Sequence, residues 1–129
     1  MKKFILTIFA IISLSTYAGE FLDKGNLSFE KNDYNQAEKY YLQAEKNGEE
    51  GASYALGFLY RKQQKDDKAE QMFLKAMRNG DTASINALGI LYKEQKKYDK
   101  AEQMYLEAIK KGSKSAYFNL GLLYKEQRK

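Results

Sequence analysis

The chain has 129 residues, a formal net charge of +5, 43% hydrophobic and 30% charged residues, and no cysteine, histidine or proline. That length suits one modest domain. The absence of Cys and His excludes disulfide scaffolds and thiol or imidazole catalysis, and removes the usual zinc and copper ligands.

The first element is Met1-Lys2-Lys3 followed by an apolar run from Phe4 to Leu14 and then Ser15-Thr16-Tyr17-Ala18-Gly19. A basic start, a short apolar core and a small residue at its end are the three parts of a secretory signal peptide. A membrane span needs about 20 apolar residues, more than this run supplies. Residues 1–18 are therefore expected to be a signal peptide cut after Ala18. Residues 19–129 would form an exported domain, periplasmic or secreted, with no membrane span in the mature form. An uncleaved anchor is the competing reading. Loss of Lys2 and Lys3 lowers the charge to +3, unevenly spread: residues 20–50 hold eight acids and four lysines, and residues 51–129 nine acids and 16 Lys or Arg.

Beyond the leader, one pattern recurs every 32 residues. Gly25 opens it, followed by Ala37-Glu38, Tyr41-Leu42, Ala44 and Gly48. The second copy runs Leu56-Gly57-Phe58-Leu59-Tyr60, Ala69-Glu70, Phe73-Leu74, Ala76 and Gly80. The third runs Leu88-Gly89-Ile90-Leu91-Tyr92, Ala101-Glu102, Tyr105-Leu106, Ala108 and Gly112. A fixed period of this length marks a repeat architecture. Each unit contains two helical patterns, Leu56, Leu59 and Tyr60 on one face of the first and Ala69, Phe73, Ala76 and Met77 on one face of the second. Asn35, Asp67 and Asp99 each precede a glutamate by three residues, which predicts a capping box opening the second helix. Gly48, Gly80 and Gly112 suit the left-handed position that ends it. Residues 115–129 form a fourth first-helix, with Tyr117, Leu120, Leu123 and Tyr124 in register and no second helix following in this sequence. In the first unit Lys24, Ser28 and Glu45 replace apolar residues, as a solubilising end unit requires.

At Leu56-Gly57, Tyr60, Ala69 and Phe73, and again at Leu88-Gly89, Tyr92, Ala101 and Tyr105, the chain resembles the tetratricopeptide repeat family. The family unit is about 34 residues long and carries a proline that is absent here. The stretch from Ala76 through Gly80 to Leu88-Gly89 is similar to the turn of Sel-one-like repeats. The resemblance implies an all-α fold, a right-handed α-solenoid of three full helix-turn-helix repeats plus a final single helix. It also implies a concave groove lined by the first helix of each repeat. The groove positions map to Leu22, Asn26 and Phe29; Tyr54, Phe58 and Arg61; Asn86, Ile90 and Lys93; and Phe118, Leu122 and Lys125. Each triplet is spaced i, i+4, i+7 and forms one stripe. The floor would be apolar and aromatic, and Arg61, Lys93 and Lys125 would give it a basic rim. Phe58, Ile90 and Leu122 also fit a column that packs between repeats. Some family members clamp a ligand carboxylate with paired Lys and Asn; Asn26 and Asn86 stand at eligible positions, but the lysines are missing.

No catalytic constellation emerges. Asp66-Asp67 and Glu49-Glu50 are neighbours in sequence and do not face each other on a helix. Neither enzyme chemistry, a metal nor a cofactor is expected, and export with mixed charge argues against nucleic acid. The functional expectation is an exported adaptor or scaffold that binds a peptide or protein partner in its groove. The alternative is a self-associating structural envelope protein, a homodimer through residues 115–129. A partner that supplies the missing helix, or a truncated relic, would also account for that helix.

Overall fold

In a computed structural model, the described residues are 19–128. The signal peptide expected at 1–18 lies outside them. Seven helices are present among the described residues: α1 (Glu20–Glu30), α2 (Tyr34–Lys46), α3 (Ala52–Lys62), α4 (Asp66–Arg78), α5 (Ala83–Glu94), α6 (Tyr98–Lys110) and α7 (Lys114–Gln127). The class is all-α, built of helix-turn-helix repeats. None of these helices is long and apolar enough to cross a membrane.

Two compact units divide at Glu50 and Gly51. The first contains α1 packed on α2. In the second, α3 pairs with α4 and α5 with α6, α4 packs on α5 and α6 on α7, and α3, α5 and α7 meet edge to edge. The 32-residue period becomes a period of packing. Leu56 and Leu88 are fully buried, as are Leu59, Leu91 and Leu123, Ala69 and Ala101, and Phe73. Tyr105 is almost as deeply enclosed. Burial of one such large side chain is worth about 1.5–3 kcal/mol. Each second helix lays a ring on a glycine of its first helix. A Cβ built on Gly25, Gly57 or Gly89 would stand 2.5 Å from the ring of Tyr41, Phe73 or Tyr105 respectively. Only a residue without Cβ lets the two backbones approach this closely.

The turns share one geometry. At the end of α3 the Lys65 amide donates to the Tyr60 carbonyl and Gln64 to Arg61; at the end of α4 Asp81 donates to Ala76 and Gly80 to Met77. These paired bonds are the Schellman motif, which needs a left-handed residue after the helix. Glycine supplies it between repeats, at Gly48, Gly80 and Gly112, as the sequence predicted. Within repeats the same position holds Asn32, Gln64 and Lys96, with φ near 60°.

This geometry also shifts the helix starts. The expected caps were Asn35, Asp67 and Asp99, but the cap positions are Asp33, Lys65 and Lys97. The residue that closes one Schellman motif directly opens the next helix, so residues 35, 67 and 99 already lie inside the first turn. Asp33 caps α2 by accepting from the Gln36 amide at 3.1 Å. Asp66, Asp67 and Asp99 instead place negative charge at the positive end of a helix.

Glu70 and Glu102, the glutamates of the anticipated boxes, accept hydrogen bonds from the next repeat. The Tyr92 hydroxyl donates to Glu70 at 2.8 Å and Tyr124 to Glu102 at 2.9 Å. Burial, then the Glu70 hydrogen bond, push the Tyr92 hydroxyl up to about 12. Burial, aided by the carboxylate of Glu94, does the same for Tyr105, up to about 12. An unfolded tyrosine ionises near 10. The folded state therefore keeps these protons where the unfolded chain has lost them. Their stabilisation is complete below pH ~10 and disappears as pH rises towards ~12. The loss is on the order of 1–3 kcal/mol per tyrosine. Urea midpoints measured from pH 8 to 12 should fall over that window, and Tyr105→Phe should make the fall shallower.

Candidate partner-binding groove

The second unit brings nine of the twelve expected groove residues onto the face formed by α3, α5 and α7. Tyr54, Phe58, Arg61, Asn86 and Ile90 line a cavity of about 320 Å³ together with Ser115. Ile90 also borders a neighbouring cavity of about 340 Å³, shared with Lys93, Glu94, Asn119 and Glu126. Phe118 lines neither and stands 70% exposed on α7, one turn from Leu122 at 39%. Lys125 is exposed further along the same helix. The apolar column Phe58, Ile90 and Leu122 is not sealed between repeats: Phe58 and Leu122 are each 39% exposed, and Ile90 is half-buried. Tyr54 behaves differently. Its ring lies 5.9 Å from that of Phe73, so part of it belongs to the core.

The basic rim is largely neutralised. The Arg61 guanidinium grips Glu94 with two hydrogen bonds, one of them from Nε to Oε2 at 3.0 Å. The Lys93 ammonium lies 3.2 Å from Glu126. The Glu94 hydrogen bond raises the Arg61 pKa above its usual value. Asn86, too, is engaged. Its amide donates to Ser115 Oγ at 3.2 Å, and its carbonyl oxygen accepts from Asn119 at 3.0 Å. Sequence reading passed over Glu94, Ser115, Asn119 and Glu126 as groove residues. One signal could have found three of them: Arg61 to Glu94, Asn86 to Asn119 and Lys93 to Glu126 are each 33 residues apart. A period of 32 sets equivalent residues side by side on neighbouring first helices, and one residue more reaches across.

Leu22, Asn26 and Phe29 belong to the first unit, and each makes a contact within it. The Leu22 amide donates to Glu49 Oε1 at 3.1 Å, which caps α1 from beyond the end of α2. Asn26 Oδ1 accepts from the Tyr41 hydroxyl at 2.8 Å. The Phe29 ring lies 5.3 Å from that of Tyr34.

As a chemical surface, the second unit's groove offers apolar area flanked by polar groups already paired with one another. Among the described residues no group of three or more carboxylates could hold a metal ion.

No curated protein matches this chain. Among solved structures, it is similar to the crystal structure of BtubC (BKLC) from P. vanneervenii, with a TM-score of 0.76 and 23% sequence identity. That similarity covers 95% of this chain and 60% of the other, so the chain spans less than two thirds of the length of the protein it matches. At this identity the likeness concerns the fold alone. Two family models, each described as tetratricopeptide repeat, match residues 22–84 and 82–112. Together they run through both units and take in the Gly25, Gly57 and Gly89 packing sites, and the chain belongs to the tetratricopeptide repeat family.

Proposed function

We propose that the chain is an exported, non-catalytic adaptor or scaffold whose second unit holds a peptide or protein partner on the face of α3, α5 and α7. Protein–protein interaction is the general role that the family membership supports. The observation that carries the finer reading is the exposed apolar stripe of Phe58, Leu122 and Phe118 beside a cavity of about 320 Å³. Apolar contact would supply the affinity. The pairing of Arg61 with Glu94 and of Lys93 with Glu126 means that a ligand carboxylate must displace an existing partner, so charge supplies little. Nucleic acid is not expected on this surface for the same reason. Export rests on the Lys2-Lys3 start, the Phe4–Leu14 run and the small Ala18 that follows it. An intact Met1 on mature protein, by mass spectrometry, would remove that part of the proposal.

The groove is tested by Phe58→Ala combined with Phe118→Ala. Both side chains are exposed, so the stability cost should be about 0.5 kcal/mol each and the double variant should stay folded. Capture of the native partner from the exported fraction should be lost. Retained capture by a folded double variant would place the binding surface elsewhere. Tyr54→Ala is a poor substitute, because its ring rests on Phe73 and its removal disturbs the core.

A further inference from the structure

The inner turn of the hairpins occurs three times, and its charge changes from copy to copy. Residues 29–36 carry a net charge of −1, whereas the equivalent residues 61–68 and 93–100 carry +2 each.

The added cations stand where the local backbone disfavours them. In the first turn Asn32 holds the left-handed backbone, which asparagine adopts more readily than most residues. Asp33 then caps α2 through the Gln36 amide. The second and third copies place Gln64-Lys65 and Lys96-Lys97 at these positions. Lys65 and Lys97 are the N-caps of α4 and α6, and neither makes a side-chain cap. An ammonium has no acceptor for the orphan amides, and it faces the positive end of the helix dipole. Lys96 holds φ at 60°. The second unit therefore forgoes local stability at both turns and gains positive charge there. Residues that break a local folding rule are characteristic of functional positions.

Lys62, Lys65, Lys96 and Lys97 are exposed, and none of them takes part in an ion pair among the described residues. Lys68 and Lys100 join them, each held 5.5 Å from the ring centre of Tyr60 or Tyr92. Of the four acids at these two turns, Glu94 is taken by Arg61, and Asp66, Asp67 and Asp99 lie in the first turns of α4 and α6. All six lysines sit at the end of α3 or α5 or at the start of α4 or α6, and so at one edge of the second unit. No single hollow gathers them: Lys62 borders one and Lys96 another. Cations spread along helix ends in register suit an extended anionic plane better than one small anion.

We propose that this edge docks the protein on an anionic lipid bilayer, with the six lysines meeting lipid phosphates. The contact is peripheral, since no described helix is long and apolar enough to cross a membrane. Each lysine near such a surface adds attraction, and salt screens it.

Co-sedimentation of the full chain with vesicles is the test. Vesicles of phosphatidylglycerol and phosphatidylcholine in equal parts should bind more protein than pure phosphatidylcholine. Roughly ten-fold more salt should remove the difference. Comparing the two compositions cancels any apolar contribution of the Phe4 to Leu14 run. Lys65→Asp with Lys97→Asp supplies both turns with the cap that Asp33 provides in the first. That variant should bind the anionic vesicles at least about ten-fold more weakly. Its urea midpoint should rise, which separates loss of binding from loss of fold. Lys111→Glu with Lys114→Glu changes the net charge equally at the exposed α6–α7 turn. It should weaken binding by no more than about three-fold. The proposal is overturned if the capped variant binds as the wild type does. It is also overturned if the two double variants weaken binding equally, because net charge alone then accounts for it. Tighter binding of soluble polyphosphate than of the anionic vesicles, at equal phosphate concentration, overturns it too, because the ligand is then a polymer in solution.

Discussion

Gly89→Ala should destabilise the second unit by up to about 2 kcal/mol, while Gly121→Ala should leave it unchanged or make it more stable by up to about 1 kcal/mol. Both glycines lie inside helices, where alanine is the better helix former by about 1 kcal/mol. At Gly121 nothing opposes that gain, since the added methyl meets open space. At Gly89 the methyl would stand 2.5 Å from Tyr105 Cε1 and 2.6 Å from Cδ1. Tyr105 is 1% exposed, so its ring has nowhere to retreat without separating α5 from α6. Overpacking of this kind costs about 1–3 kcal/mol and occasionally more. A relieving Tyr105→Leu change in the Gly89→Ala background should recover part of the loss, because the two positions are in contact and their effects do not add. Urea denaturation of the four proteins is the measurement. Equal effects at Gly89 and Gly121 would show that the ring contact is not what requires glycine.

The same contrast explains what could be read from the sequence. The architecture was legible because the repeat states it three times: a glycine, an aromatic sixteen residues on, and alanines around the aromatic. Helix ends were legible where a glycine marks them and not where a side chain must imitate one. Gln64 and Lys96 hold φ values of 59° and 60° at the inner turns, and nothing in their chemistry announces it. Those turns put the second-helix caps two residues earlier in the chain and leave Glu70 and Glu102 to accept from Tyr92 and Tyr124. The expected groove stripe falls on α3, α5 and α7, and two of its three rim cations are paired across helices. Arg61 and Lys93 were counted as a basic rim because their partners, Glu94 and Glu126, sit on neighbouring helices. A one-dimensional pattern shows each helix face but not what lies across from it. Depth was the other hidden quantity. Tyr54 and Phe118 occupy equivalent positions in their repeats, but Tyr54 has Phe73 beneath it and Phe118 projects outwards.

Leu122 and Leu123 are adjacent in sequence and should respond to the same substitution in opposite ways. Leu123 is 0% exposed and occupies the core position of Leu59 and Leu91, whereas Leu122 is 39% exposed on the groove face. Leu122→Glu should alter stability by only about 0.5 kcal/mol, as surface changes do. Leu123→Glu removes a fully buried side chain, which alone costs about 2–5 kcal/mol. It also leaves a carboxyl among apolar neighbours with no partner provided for it. In a repeat stack each element depends mainly on its immediate neighbours, and α7 packs on α6 and along α5. The damage should therefore be local. Amide protection should vanish over residues 114–127 and persist in α3 to α6, with helicity falling by about one helix's share. Lowering the pH should restore part of it, since the buried environment favours the protonated acid and raises its pKa. Hydrogen exchange read residue by residue distinguishes this from global unfolding. Protection lost throughout the second unit would mean that α7 is integral to one cooperative block, and equal tolerance of both substitutions would mean that Leu123 is not in the core.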